Sequence, residues 1–322
     1  MYHIGVDFGG TNIAAGIVDN EGNLIIRRST KTKRHRPLDE IMEDLLSLCD
    51  EIMSRARIEK SKVTTIGLGI PGNIHPDGKR VVYGNNIESL TDANIEKIIK
   101  NHYPHMEVYL ENDANAAALA ELMCGVAKGL KNVVMVTLGT GVGGGIIIDG
   151  KIYSGANLAG GEIGHMVIEN GGEKCTCGRR GCWEQYASVT ALLRQTADAI
   201  DDYPDSKIYE LIDGKKIKIS GRTAFDAMRM GDECGKAIVE KYVEYIGIGV
   251  VDMINILQPE MVVIGGGISK EGDNIILPLR EYVKKNVYAG EVDSIPQTKI
   301  AAATMGNDAG IIGAALLYKQ SK

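Results

Sequence analysis

Three apolar, β-branched runs in this chain stop abruptly in glycine: HIGVDFGGTN (3–12), NVVMVTLGTGVGGGIIIDG (132–150) and EMVVIGGGIS (260–269). Such a strand presents backbone N–H groups at a turn where no side chain blocks the approach of a ligand. The first run continues as IAAGIVDNEGNLI, which predicts a second strand and a polar hairpin tip at Asp19-Asn20-Glu21-Gly22. The second continues as IIIDGKIY with a further turn at Asp149-Gly150, and the third passes through a loop into a helix. Between the runs, Leu38 to Ala56 carries apolar residues at 41, 42, 45, 46, 48, 49, 52 and 53, a helical stripe. Asn112 to Met123 is alanine-rich with Asn or Asp available to cap it. Cys234 to Leu257 reads as a long helix, and Asn307 to Tyr318 as a terminal helix whose glycines permit close packing. Alternating strands and helices give an α/β class. A length of 322 residues corresponds to about two domains, with a break near residues 113–130.

Glycine, 40 of 322 residues, is well above its usual share of about 7%. Without low complexity, that surplus predicts many tight turns rather than disorder. The 36 basic and 42 acidic residues are evenly mixed and give a net charge of −6. That distribution argues against nucleic acid as a partner, because neutralising phosphates needs a concentrated basic stripe. MYHIGVDFGG has no basic region of the secretory kind, and Val133 to Ile148 contains five glycines and is too short to cross a bilayer. The expected address is therefore cytoplasmic, with no membrane partner. In a reducing compartment six cysteines are not a disulfide framework.

Several familiar patterns fail on context. GxGxxG occurs at Gly67-Gly69-Gly72 and at Gly139-Gly141-Gly144, but neither opens a helix as a dinucleotide fold requires. Asp7-Phe8-Gly9 spells DFG at the wrong place for a protein kinase, and no GxxxxGK[ST] exists.

The glycine turns suit phosphate. The tips Gly9-Gly10-Thr11 and Gly139-Thr140-Gly141 each offer backbone donors and a hydroxyl, and facing one another they could hold a triphosphate. Asp7, at the end of the first strand, is placed to meet Mg²⁺. The plain alternative for each tip is a tight β-turn. His165, Cys175, Cys177 and Cys182 have the spacing H-x9-C-x-C-x4-C, which suits a closed, structural zinc site; the alternative is three reduced cysteines in a loop. Gly178 and Gly181 would permit the turn that returns Cys182 to Cys177. A metal there would also hold Glu162 and Glu184, which adjoin His165 and Cys182. His165 would keep one ring nitrogen for a ligand. In Glu111-Asn112-Asp113-Ala114-Asn115, a carboxylate at a helix N-terminus is stabilised as the anion, ready to accept a proton. The alternative there is simple N-capping.

VDFGGTN, VTLGTGVGGGI and VVIGGGIS resemble the phosphate-1, phosphate-2 and adenosine motifs of the actin-like ATPase superfamily. GGEIGH through CTCGRRGCWEQYAS resembles the signature of its ROK branch, with wording most similar to the Gram-positive-type glucokinases, and the likeness runs over essentially the whole chain. It implies a two-domain actin-like (ribonuclease H-like) α/β fold with the active site in an interdomain cleft. Residues 1–116, completed by a C-terminal helix from 303 to 322, would form the small domain, and 117–302 the large one with the zinc loop. The implied activity is ATP-dependent phosphorylation of a hexose, D-glucose at its 6-hydroxyl. Asp113 would be the general base. Gly72, Asn86 (rather than Asn85), Asn112, Asp113 itself, Glu162, His165 and Glu184 would be sugar ligands. Asp7, Gly9, Gly10, Thr11, Asn12, Gly139, Thr140 and Gly141 would hold Mg²⁺ and phosphates, and Gly265, Gly266 and Gly267 the adenosine. Zinc is implied at the same His and Cys positions, and the assembly implied is a homodimer. Asn73 to Arg80 departs from the commonest family wording. Other sugars within the same likeness are N-acetylmannosamine, allose and fructose. The family also contains sugar-sensing repressors, which carry a helix-turn-helix ahead of the first glycine strand; that strand begins here at residue 3, which favours a kinase. Zinc is expected to organise the sugar pocket while leaving the distant phosphate hairpins unchanged.

Overall fold

The computed structural model describes residues 1–84 and 87–320. Strands β1 (Tyr2–Phe8), β2 (Asn12–Asp19), β3 (Leu24–Lys31), β4 (Val63–Ile70), β5 (Asn73–Ile74), β6 (Val81–Tyr83) and β7 (Glu107–Asn112) come first. They build one five-stranded sheet of order β3-β2-β1-β4-β7, with β5 and β6 as a separate ribbon. Strands β8 (Val133–Leu138), β9 (Val142–Ile148), β10 (Lys151–Ile152), β11 (Met261–Gly265) and β12 (Lys299–Ala302) form a second sheet of order β10-β9-β8-β11-β12. The helices are α1 (Leu38–Ala56), α2 (Ile95–His102), α3 (Asp113–Met123), α4 (Glu184–Ala187), α5 (Val189–Ala199), α6 (Ile208–Leu211), α7 (Thr223–Arg229), α8 (Glu233–Leu257), α9 (Asp273–Asn286) and α10 (Ala309–Leu316).

The chain divides into two compact units. The first comprises Met1–Met135, Gly145–Gly161 and Thr304–Lys322, the second Val136–Gly144 and Glu162–Ala303. Among the described residues, no helix is long and apolar enough to cross a membrane.

Each glycine-ended run folds as its pattern predicts. β1 and β2 pair antiparallel around Gly9-Gly10-Thr11, while Asp149 and Gly150, both at positive φ, make the turn into β10. α1 spans the predicted stripe and ends where Arg57 adopts the left-handed conformation. The predicted terminal helix is shorter than expected: α10 lies between 3₁₀ turns at Gly306–Asp308 and Leu317–Gln320.

The core of the first unit sits on both faces of its sheet. Successive strand residues face opposite ways, so Ile4, Val6 and Phe8 join Ile41, Leu45 and Ile52 of α1 in one cluster, while Gly5 faces α10. A Cβ at Gly5 would lie 1.8 Å from the Ile311 carbonyl, and one at Gly67 1.8 Å from that of Ala314. On α10 itself, a Cβ at Gly313 would lie 1.7 Å from the Ala116 carbonyl of α3. The glycine surplus thus serves backbone-to-backbone packing as well as turns. Placing alanine in a helix instead of glycine ordinarily adds about 1 kcal/mol. Gly313→Ala should nonetheless lower stability by about 1–3 kcal/mol, because the obstacle is a backbone atom. A rise in the urea midpoint for this variant would refute the close-packing account.

Candidate active site

The parallel strands β1, β4 and β7 of the first unit end side by side, and the carboxyl ends of parallel strands are where open α/β sheets bind ligands. Asp7 of β1 lies level with Gly69 of β4, and Gly69 level with Glu111 of β7. Gly69 lets the start of α3 rest on β4, since a Cβ there would already be 3.4 Å from the Asp113 Cα and 3.3 Å from the Ala116 Cβ. Asn112 caps α3, its side-chain oxygen accepting from the N–H groups of Ala114 (2.9 Å) and Asn115 (3.3 Å). Asp113 is therefore the first residue of the helix, and its Oδ1 accepts from the Ala114 N–H at 2.8 Å.

Burial, and secondly the charge of Asp113, push the Asp7 carboxyl up to about 6. Burial also raises Asp113, so the stabilisation of its anion expected from the helix start, seen in the hydrogen bond from Ala114, is outweighed by desolvation. A carboxylate with raised proton affinity suits a general base, and two carboxylates repelling one another suit a divalent cation.

The hairpin tip at Gly9-Gly10-Thr11 is tied down by Thr32, whose hydroxyl donates to the Gly9 carbonyl and whose N–H donates to that of Thr11. Thr11 and Asn12 remain exposed. Gly72 has φ +136, and a Cβ there would lie 2.1 Å from the Tyr83 carbonyl, so only glycine fits. Asn86 lies outside the described residues.

In the second unit the tip Gly139-Thr140-Gly141 closes with the Gly139 N–H donating to the Gly141 carbonyl at 3.0 Å. The Val189 N–H donates to the Gly139 carbonyl at 2.8 Å, and the Thr190 hydroxyl to that of Thr140 at 2.7 Å. The Val142 N–H donates to Glu184 Oε2 at 3.4 Å. β11 ends at Gly265, followed by exposed Gly266 and Gly267; Gly266 has φ +86, and a Cβ there would lie 2.1 Å from the Leu138 carbonyl.

The donor atoms of His165, Cys175, Cys177 and Cys182 lie within 4.8 Å of one another. Cys177 and Cys182 are 3.5 Å apart at sulfur, and Cys175 Sγ is 3.6 Å from His165 Nδ1. Tetrahedral zinc with bonds of about 2.3 Å to sulfur separates its sulfurs by roughly 3.8 Å, so the donor set fits that metal. Nδ1 faces the sulfurs, which leaves Nε2 for another partner. Gly178 and Gly181 have φ +90 and +83, as the required turn predicts. The backbone N–H of Arg179 lowers the Cys177 thiol, whereas burial raises that of Cys182. Glu162 is exposed on the turn that leads into His165. Glu184 opens α4, two residues after Cys182, with Oε1 3.6 Å from Cys175 Sγ.

One expectation is overturned. The second phosphate hairpin is not distant from the metal loop, because Glu184 contacts Cys175 on one side and Val142 on the other. Residues that sequence reasoning passed over also emerge. Glu111 accepts from the Asn112 N–H (2.8 Å), Asn115 Nδ2 (3.0 Å) and the Ser154 hydroxyl (3.1 Å), bracing the turn that carries Asp113. Glu121 and Thr190 were equally unmarked. A lone acid within an alanine-rich helix was the only available signal for Glu121, and Thr190 had none.

The family model described as the ROK family matches residues 3–321. The glucokinase of Halalkalibacterium halodurans is 33% identical over 322 residues, which are all of this chain and 96% of that protein. The crystal structure of a ROK family glucokinase from Streptomyces griseus in complex with glucose and AMPPNP matches with a TM-score of 0.85 and 32% identity, over the whole of both chains. The xylose repressor of Bacillus subtilis is 28% identical over 97% of this chain and 75% of the repressor. The mixed α/β architecture with two sheets is that of the actin-like ATPases, as the sequence implied. With its glycine turns, cysteine cluster and END-AN segment all inside the matched span, the chain belongs to the ROK family.

Proposed function

We propose that the chain is an ATP-dependent hexose kinase that phosphorylates D-glucose at its 6-hydroxyl. The observation that carries this reading is the Asp113 carboxylate, raised by burial and held at the start of α3 beside Asp7. It stands in a chain one third identical to a glucokinase. Asp113 takes the proton of the 6-hydroxyl as that oxygen bonds to the γ-phosphorus of ATP, and ADP leaves. Asn112, Glu162, His165 Nε2, Glu184, Gly72 and Asn86 hold the remaining hydroxyls. The backbone groups of Gly9 to Asn12 and Gly139 to Gly141 hold phosphate, and Gly265 to Gly267 flank the adenosine. Asp7 would hold a Mg²⁺ ion, which would supply positive charge to offset that on the transferring phosphoryl group. His165, Cys175, Cys177 and Cys182 would supply four ligands to a zinc ion and leave it no open position, so that the metal would support structure rather than chemistry.

A coupled ADP-release assay across a panel of hexoses tests the reading. Glucose should show the highest kcat/KM. A preference for N-acetylmannosamine, allose or fructose would remove the glucose assignment and spare the base. Sugar binding with no ADP release would instead favour a sugar sensor, the reading that the likeness to a xylose repressor supports.

The pH profile is a second check. Asp7 takes up its proton as pH falls through about 6, and protonated carboxyls can neither hold a cation nor accept a proton. The acid limb of kcat/KM should therefore break near pH 6 rather than near 4. The stability contribution has the opposite sign: a raised carboxyl pKa favours the fold below the ordinary value of 3.8, and that advantage is lost as pH rises through 6. An acid limb near pH 4 would contradict the assigned roles of the pair.

A further inference from the structure

The bonds around the second glycine hairpin tie it to the segment that leaves the cysteine cluster. Cys182 is followed by Trp183, which is fully buried and whose indole N–H donates to the Tyr245 carbonyl on α8 at 2.7 Å. Glu184 comes next, two residues after the proposed metal ligand Cys182, and its Oε2 accepts from the Val142 N–H at 3.4 Å. After the single turn of α4, Ser188 caps α5 by accepting from the Ala191 N–H at 3.0 Å. The first two residues of α5, Val189 and Thr190, then hold the carbonyls of Gly139 and Thr140.

Which carbonyls are held matters. In a planar trans peptide the N–H points away from its own C=O. Tying the Gly139 carbonyl back to Val189 therefore turns the Thr140 N–H outward, and tying the Thr140 carbonyl to Thr190 does the same for the Gly141 N–H. Those are the donors that the tip offers to phosphate. Within the tip, the bond from the Gly139 N–H to the Gly141 carbonyl closes the turn, whereas the carbonyls of Gly139 and Thr140 are held from outside it, by Val189 and Thr190 of α5.

We infer that Thr190 is a positioning residue for the phosphate hairpin, and that the metal loop sets the hairpin's conformation through Glu184 and the α4–α5 junction. The inference rests on the reading of this hairpin as a phosphate site. It makes metal loading a determinant of nucleotide affinity as well as of sugar binding.

Thr190→Val keeps the shape and removes the donor. In the full-length, zinc-loaded protein it should weaken binding of AMPPNP with Mg²⁺ about threefold to tenfold. It should raise KM for ATP by a similar factor, with KM for the sugar and zinc content unchanged. Thr190→Ser should restore wild-type values. Cys177→Ser, which touches neither the hairpin nor Glu184 directly, should lower zinc content and weaken AMPPNP binding. In that variant, hydrogen exchange of the peptide spanning 138–142 should quicken about fivefold or more. Wild-type AMPPNP affinity in Thr190→Val would overturn the positioning role. Loss of zinc from Cys177→Ser with unchanged exchange at 138–142 would overturn the link to the metal. Faster exchange without AMPPNP binding by any form, wild type included, would overturn the phosphate reading and the nucleotide part of this inference, while leaving the mechanical link standing.

Discussion

Asp113→Asn should lower kcat about 10²- to 10⁴-fold while glucose affinity stays within about threefold. Asparagine keeps an Oδ1 that can accept from the Ala114 N–H, as Asp113 does at 2.8 Å, so the start of α3 has no reason to move. What it lacks is proton affinity. The charge it removes is one that burial disfavours and that raises the Asp7 carboxyl. The variant should therefore fold at least as well as wild type at pH 7, and its Asp7 should titrate lower. Loss of turnover together with unchanged or improved thermal stability separates a chemical role from a structural one. Retention of a tenth of wild-type turnover would eliminate Asp113 as the base.

Glu121→Ala should cost about 3–5 kcal/mol of stability, measured by chemical denaturation. The Glu121 side chain is fully buried. It accepts from the backbone N–H groups of Val126 (2.9 Å), Thr304 (2.8 Å) and Met305 (2.7 Å), and from the Thr304 hydroxyl (3.0 Å). Four donors converge on one carboxylate, which ties the last turn of α3 to the segment entering α10. Truncation would leave those donors without a partner, each a loss of roughly 1–3 kcal/mol, partly recovered by relaxation. Glu121→Gln should fall between the two, because its amide nitrogen meets donors where an acceptor is needed. A change below about 1 kcal/mol in Glu121→Ala would show that the clamp adds little.

The glycine-ended strands, the helix from Leu38 to Ala56 and the cysteine cluster were legible in the sequence because each is local. Strand and helix periods repeat every 2 and 3.6 residues, and the proposed metal ligands fall between His165 and Cys182. Asn112 and Asp113 were legible as a helix start for the same reason, since capping acts within three residues. Other features depended on which distant segments meet. The level placement of Asp7, Gly69 and Glu111 follows from strand order, which no local pattern encodes. Gly5 and Gly67 resemble any other glycine until α10 is laid against β1 and β4, and the partner of Gly313, whose helix was expected to pack closely, is fixed only when α10 meets α3. Glu121 finds partners 183 and 184 residues away, and Thr190 holds a carbonyl 50 residues before it. Local backbone preference decided the elements, the turns and the chemistry carried at their ends. Long-range packing decided which of those ends share a surface and which buried polar groups hold them there, because such contacts exist only once the chain has closed on itself.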